Sequence, residues 1–186
     1  TASPPRCWRR CCSGCCSDGS AAPQLAAVPA ERDRPAAELG LDRHAVEDAV
    51  APRERPKATR HASHTFLTCY AATLVDGAQG LPAMAIGRVS AFVMPRGLIT
   101  IRLARGAEVD MDEVIERWQG SGLLGYGAGA LVHGLLDVLV DGHFEAVQAM
   151  DDSLEELEDL LFGDTVRTGE IQVRVFALRK ALVSLR

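Results

Sequence analysis

The sequence has 186 residues, of which 47% are hydrophobic and 24% charged, and its 20 basic and 25 acidic residues give a net charge of −5. These values are typical of a globular protein with one hydrophobic core, and they exclude a disordered or fibrous chain. Proteins that bind nucleic acids usually carry a basic patch and a basic overall charge, so the acidic balance argues against a nucleic-acid partner.

Residues 1–35 differ from the rest of the chain in composition. They contain five of the six cysteines and five prolines, and their apolar residues follow neither the helical nor the strand period. We therefore expect this segment to be disordered. Cys12 and Cys15 have the CxxC spacing of a zinc site, but no second CxxC and no spaced histidine pair follows, so a cysteine-rich metal-binding protein is the less favoured alternative.

Residues 36–130 mix helical and strand patterns, which predicts an α/β domain. Asp42 is a suitable N-cap for a short helix that ends before Pro52, and the run 65–70 is rich in β-forming residues. Two apolar runs flank the turn-forming residues 95–97 and predict a β-hairpin. The predicted elements in chain order are a helix between Asp42 and Pro52, a strand over 65–70, hairpin strands over 89–94 and 98–102, and a helix over 108–118.

Residues 118–136 contain no Asp, Glu, Lys or Arg, so a membrane span has to be considered. Six glycines and His133 weaken that interpretation, and we favour a turn into a buried helix. The same stretch contains a GxGxxG motif over residues 120–125. A dinucleotide site needs a strand before this motif, whereas a helix is predicted there, so we do not favour such a site.

Residues 131–186 predict a long antiparallel helical hairpin. Two apolar seams alternate spacings of three and four residues, which is typical of helices that pack on each other. Residues 145–164 hold eight acids and no Lys or Arg, while residues 166–186 hold five basic residues and one acid. Ion pairing within the hairpin explains this pattern, and attraction of cations to the acidic helix is the alternative. The seams are Val147, Met150, Leu154, Leu157 and Leu161, then Ile171, Val175, Leu178, Leu182 and Leu185.

Two pairs of carboxylates are candidates for binding a hard cation. Glu47 and Asp48 are adjacent on the first helix, and Asp137 and Asp141 are four residues apart, on one face of a later helix. Mg²⁺ prefers oxygen ligands and keeps several waters, so one or two carboxylates suffice. Alternatively, Asp48 terminates a surface helix and Asp137 pairs with an arginine such as Arg55. No Ser-His-Asp, Cys-His or Walker arrangement is present, so we expect no enzyme.

Several segments in order resemble the CorA-type family of magnesium and cobalt transporters, specifically their cytoplasmic N-terminal domain. No single string is diagnostic, but together they extend over roughly 150 residues. They are the segments LGLDRHAVEDA (39–49), RPK (55–57), the hairpin 89–103, LLDVLVDGHF (135–144), LEELE (154–158) and ALRK (177–180).

The resemblance implies an α/β/α layered domain with a mixed sheet, followed by the helical hairpin. It also implies a homopentamer in the cell inner membrane with this segment on the cytoplasmic side, and Mg²⁺ or Co²⁺ as the regulatory and transported ion. In the family the membrane helices and a Gly-Met-Asn signature lie nearer the C-terminus, and this sequence contains neither. We therefore expect a fragment or a truncated product whose link to the membrane is the missing C-terminal part.

The resemblance also assigns roles to three residues. Asp48 matches a ligand of a regulatory magnesium site between neighbouring subunits, and Glu47 and Asp137 match ligands of a second site. Bound Mg²⁺ would then hold the closed state of the transporter. The alternatives are a helical-hairpin interaction module without transport activity and a zinc-transporting relative of the same superfamily.

Overall fold

The computed structural model describes residues 24–28, 39–102, 106–120, 122–162 and 168–185. Five strands and four α-helices lie in these ranges. The elements are β1 (Gln24–Val28), α1 (Arg43–Val50), β2 (Lys57–Arg60), β3 (Thr65–Asp76), β4 (Pro82–Met94), β5 (Gly97–Arg102), α2 (Met111–Gly120), α3 (Ala128–Phe162) and α4 (Thr168–Ser184).

The strands form one sheet in the order β1-β5-β4-β3-β2. Strand β1 is parallel to β5, whereas β4 with β5 and β2 with β3 are antiparallel, so the predicted mixed sheet is confirmed. The predicted hairpin is confirmed too, with a tighter connection than expected. Gly97 already pairs with Met94, which leaves Pro95 and Arg96 as a two-residue loop.

The expectation that residues 1–35 are disordered is wrong for Gln24–Val28. These five residues pair with β5 in register from Gly97 to Ile101. A short, alanine-rich run has little strand signal of its own, and the pairing with a distant strand supplies the hydrogen bonds that its sequence does not predict. The cysteine cluster at residues 7–16 lies outside the described residues.

The chain divides into two compact units that interleave along the sequence. The first comprises Thr1–Cys69, Arg88–Ala104 and Asp110–Asp137, and the second comprises Tyr70–Gly87, Arg105–Val109 and Val138–Arg186. The predicted segments 1–35, 36–130 and 131–186 stay a prediction.

Helix α1 supplies the core of the first unit. Ala45 and Ala49 are buried against Phe66 of β3, Phe92 of β4 and Ile99 of β5. The rings of Phe66 and Phe92 are 5.0 Å apart at 45°, a tilted arrangement that aromatic pairs favour. Small residues on α1 allow this close approach to the sheet, which fixes the helix that carries Glu47 and Asp48.

Two glycines in the second unit allow a close backbone approach. A Cβ atom on Gly87 of β4 would overlap the carbonyl oxygen of Ala107, and one on Gly106 would overlap that of Ile86. Gly106 also has a φ of +102°, which L side chains rarely adopt. Both positions therefore require glycine.

Helix α4 and the part of α3 from Val138 onward, both in the second unit, form the predicted helical hairpin. Members of both predicted seams line one groove between the helices, and Arg174 of α4 lies 3.3 Å from Glu156 of α3. In the described part of the chain, no helix combines the length and the apolar content needed to cross a membrane. The groove residues from the seams are Met150, Leu154, Leu157, Val175, Leu178 and Leu182.

Candidate cation site

Helix α1 is held at both ends, and this fixes its two carboxylates. At its start, Asp42 Oδ1 accepts hydrogen bonds from the backbone N–H of His44 (3.0 Å) and of Ala45 (3.1 Å), as predicted for an N-cap. The Ala45 bond in particular lowers the pKa of Asp42. At its end, the buried Arg88 of β4 donates from Nη2 to the carbonyl oxygen of Ala49 at 3.0 Å. A positive charge at a helix C-terminus is stabilising.

Asp48 is bound by a cationic side chain of the same unit. The Nζ of Lys57, the first residue of β2, lies 2.6 Å from Asp48 Oδ2 and 3.2 Å from Glu54 Oε1. The same ammonium lies 5.8 Å from the centre of the Phe66 ring. Hydrogen bonding to Asp48, and then to Glu54, raises the pKa of Lys57. Two carboxylates and one aromatic face thus surround a single positive charge.

Glu47 has different partners from its neighbour Asp48. Its Oε1 accepts from Arg43 Nε at 2.9 Å, and its Oε2 lies 3.6 Å from His44 Nδ1. Consecutive residues of an α-helix point about 100° apart. The two carboxylates that are adjacent in sequence therefore do not share a partner.

Asp137 is paired with an arginine, though not with the one proposed from the sequence. Its Oδ2 lies 2.8 Å from Nη1 of Arg117 on α2, and the Nη2 of the same guanidinium lies 2.6 Å from Glu113. The alternative that Asp137 pairs with an arginine is confirmed, but the partner is Arg117 instead of Arg55. Asp141 lies one helical turn further along α3 and is also exposed.

The four predicted ligands are not brought together into one cluster. Among the residues that the structure describes, no three His, Cys, Asp or Glu side chains form a group that could hold a metal ion. Asp48, Glu47 and Asp137 are each within ion-pair distance of a different basic residue. Their oxygens suit a hard cation such as Mg²⁺, which needs only one or two carboxylates from the protein.

Lys57 and Glu54 were missed as site residues by the sequence analysis. Glu54 lies just before β2, and Lys57, the first residue of β2, belongs to the RPK string that contributed to the family resemblance. Neither composition nor spacing shows that this lysine reaches Asp48, because the contact depends on how α1 packs on the sheet.

A family model described as "CorA-like Mg2+ transporter protein" matches residues 26–186. No curated protein matches the chain. Several solved structures match it at 13–20% sequence identity, and at this level the similarity shows that the fold is shared. The soluble domain of CorA from Methanocaldococcus jannaschii has a TM-score of 0.61 and 17% identity, and the match covers 80% of this chain and 57% of that one.

Two further structures have the same fold. Full-length CmaX has a TM-score of 0.58 and 20% identity, with 86% of this chain and 50% of that one covered. The ZntB cytoplasmic domain from Vibrio parahaemolyticus has a TM-score of 0.57 and 13% identity, with 87% and 68% covered. The chain thus spans between one half and about three fifths of the length of the CorA soluble domain and of CmaX. The predicted fold class, a mixed α/β domain with a long helical hairpin, is confirmed.

Proposed function

This chain belongs to the family of CorA-like Mg²⁺ transporter proteins, and on that premise we propose that it is the cytoplasmic metal-sensing domain of a divalent cation transporter. The family match over residues 26–186 is the observation that carries the proposal. The fold supports it, because the soluble domain of CorA matches 80% of this chain with a TM-score of 0.61.

Asp48 is the proposed ligand of a regulatory Mg²⁺ between neighbouring subunits. Its side chain keeps 36% of its surface exposed, so it is accessible to an ion from solvent. One carboxylate per subunit is enough for Mg²⁺, which retains several waters when it binds protein. A site shared between subunits also agrees with the finding that no group of three possible metal ligands occurs among the described residues.

Glu47 and Asp137 are the proposed ligands of a second site, and Asp141 stays a predicted metal ligand without an assigned site. Asp137 keeps 49% and Glu47 57% of its side-chain surface exposed. Glu47 is paired with Arg43 and Asp137 with Arg117, and exposed pairs of this kind contribute little to stability. An incoming divalent ion therefore meets a small energetic barrier when it replaces the basic partner.

The proposed mechanism is electrostatic gating. A bound Mg²⁺ attracts carboxylates of two subunits and holds the closed state of the transporter, and its loss leaves carboxylates that repel each other. The cation must bind the closed state more tightly than the open one, because a ligand shifts an equilibrium only by its differential affinity.

For the oligomeric state and the cellular location of the protein, we propose what the family resemblance implies. The transporter is a homopentamer in the cell inner membrane, and this domain lies on the cytoplasmic side. Large apolar side chains on α3 and α4 are exposed, which supports an oligomer, because exposed apolar patches mark interaction surfaces. The most exposed of them are Phe144, Phe162, Phe176 and Val183.

We propose Mg²⁺, and as the second choice Co²⁺, as both the regulatory and the transported ion. The proposed ligands are carboxylates, which are hard oxygen donors, whereas zinc sites in proteins favour nitrogen and sulfur. Competition of Mg²⁺, Co²⁺ and Zn²⁺ for transport by the intact protein would decide which ion is carried.

The test is a magnesium titration of ion flux through the intact transporter in liposomes. We expect Asp48→Asn to raise the cytoplasmic Mg²⁺ concentration that half-closes the transporter by at least about tenfold, because one ligand charge is lost. Asp76→Asn is the matched control, since Asp76 is an exposed aspartate at the end of β3. It should leave the titration unchanged.

An unchanged titration in Asp48→Asn would show that Asp48 is not a regulatory ligand. A shift of equal size in both variants would show a general effect of surface charge and would also contradict the assignment.

A further inference from the structure

We propose that the ammonium group of Lys57 is a tethered cation that competes with Mg²⁺ for Asp48 and thereby sets the concentration to which the site responds. This inference rests on the proposed function, because it takes Asp48 as a metal ligand. It adds a residue of opposite charge, whose role is to weaken binding.

The geometry supplies the first argument. Lys57 Nζ lies 2.6 Å from Asp48 Oδ2, the distance of a strong charge-assisted hydrogen bond. An ion bound to the same carboxylate would lie close to this ammonium, and the two positive charges would repel each other. Binding of a divalent ion at Asp48 therefore requires the ammonium to leave.

The second argument is that the Lys57 ammonium keeps two other partners when it separates from Asp48. Glu54 Oε1 is already 3.2 Å from Nζ, and its side chain is only 20% exposed. The ring of Phe66 lies 5.8 Å from Nζ and favours a cation over its face. When Asp48 takes an ion, the ammonium keeps these two partners and does not have to become fully hydrated. The site therefore has two arrangements, with Asp48 bound either to Lys57 or to the metal.

The third argument concerns what the exchange does to the fold. Asp48 lies on α1 and Lys57 begins β2, nine residues later, so their ion pair links the helix to the edge strand of the sheet. Binding of the ion breaks this link and leaves α1 attached to the sheet through Arg88 and its apolar face. The exchange thus converts a contact within one chain into a contact available to a neighbouring subunit.

The test is the magnesium titration of flux on the intact transporter carrying Lys57→Met. Methionine keeps an unbranched apolar stem beside Phe66 but removes the charge. We expect the half-closing Mg²⁺ concentration to fall about fivefold, the size expected for loss of one partly exposed ion pair. Lys57→Arg retains the charge and should stay within about twofold of the wild type.

Arg55→Met is the matched control for net charge. Arg55 is exposed in the same turn, two residues before Lys57, and its removal changes the total charge by the same amount. A fivefold fall in both variants would show a general electrostatic effect and would overturn the competition.

The variant pair Lys57→Met and Asp48→Asn separates the two proposals. If Asp48→Asn weakens the magnesium response and Lys57→Met leaves it unchanged, competition by Lys57 is wrong and the metal role of Asp48 stands. If Asp48→Asn has no effect, the proposed function itself fails. In the double variant the effect of Lys57→Met should disappear, and its persistence would overturn the competition.

Discussion

His64 is a buried histidine whose ring nitrogens have unequal surroundings. Its exposed fraction is 4%, and its ring stacks on His61 at 4.8 Å between centroids. The Ser63 hydroxyl donates to the Gly40 carbonyl oxygen, so His64 Nδ1–H donates to Ser63 Oγ, 2.9 Å away. This leaves Nε2 buried without a partner, where a proton would be costly.

Burial lowers the pKa of His64, and the neighbouring His61 lowers it further, while Asp42 opposes both. The folded state therefore binds a proton less readily than the unfolded state, whose pKa is the ordinary 6.5. The contribution to stability is complete above pH 6.5 and is lost as the pH falls below this value toward the folded pKa.

We predict that the free energy of unfolding decreases below about pH 6.5 and that His64→Gln makes the decrease smaller. Urea denaturation at several pH values measures this. His133→Gln is the control, because His133 is exposed on α3 and its loss should leave the pH profile as it was. Equal profiles for the wild type and His64→Gln would show that His64 does not cause the acid sensitivity.

The candidate carboxylates could be chosen from the sequence, but the basic residues with which they pair could not. Glu47, Asp48, Asp137 and Asp141 stand out as paired acids on predicted helices. The contacts of Asp48 with Lys57 and of Asp137 with Arg117 span nine and twenty residues. Such pairs depend on which helix face meets the sheet, and short-range periodicity carries no such information.

Helix α1 is the element on which the proposed regulation depends. Its N-cap was predicted from Asp42, and the two hydrogen bonds to His44 and Ala45 confirm the prediction. A helix of eight residues is too short to be stable alone, so its cap and its packing on Phe66 and Phe92 must hold it.

We predict that Asp42→Ala lowers the melting temperature by about 2–4 °C, because two backbone N–H groups lose their acceptor. Asp42→Asn should keep most of the wild-type melting temperature, since the asparagine amide oxygen also caps a helix. Calorimetry of the three proteins measures this. A melting temperature that Asp42→Ala leaves unchanged would show that the cap does not stabilise α1.

The strands show where prediction of elements succeeds and where it stops. The β4–β5 hairpin pairs strands that are adjacent in sequence, and its turn residues predict it. Strand β2, with the sequence Lys-Ala-Thr-Arg, has a weak strand signal and is placed by pairing with β3. Strand β3 extends to Asp76, six residues beyond the predicted end, and past its pairing with β2 its neighbour in the sheet is the long strand β4.

In the helical hairpin, acidic residues are concentrated in α3 and basic residues in α4. Arg174 of α4 lies 3.3 Å from Glu156 of α3 and 3.7 Å from Glu170 of its own helix. These pairs are exposed and contribute little to stability. Pairing within the hairpin therefore accounts for part of the charge separation that the sequence shows.

Family membership explains the fold of the whole molecule, whereas the proposed regulation depends on particular side chains. The fold is common to relatives of 13–20% identity, so it cannot by itself specify the ion or the response. The exchange of Lys57 for a metal ion at Asp48 is the step that would connect this domain to transport.

The most direct test is anomalous diffraction from crystals of the intact protein soaked in Co²⁺. The account predicts a cobalt peak at direct coordination distance from an Asp48 oxygen, about 2.1 Å for a small dication, with the Lys57 ammonium turned to Glu54. Cobalt bound only elsewhere, with the Lys57–Asp48 pair intact, would contradict it.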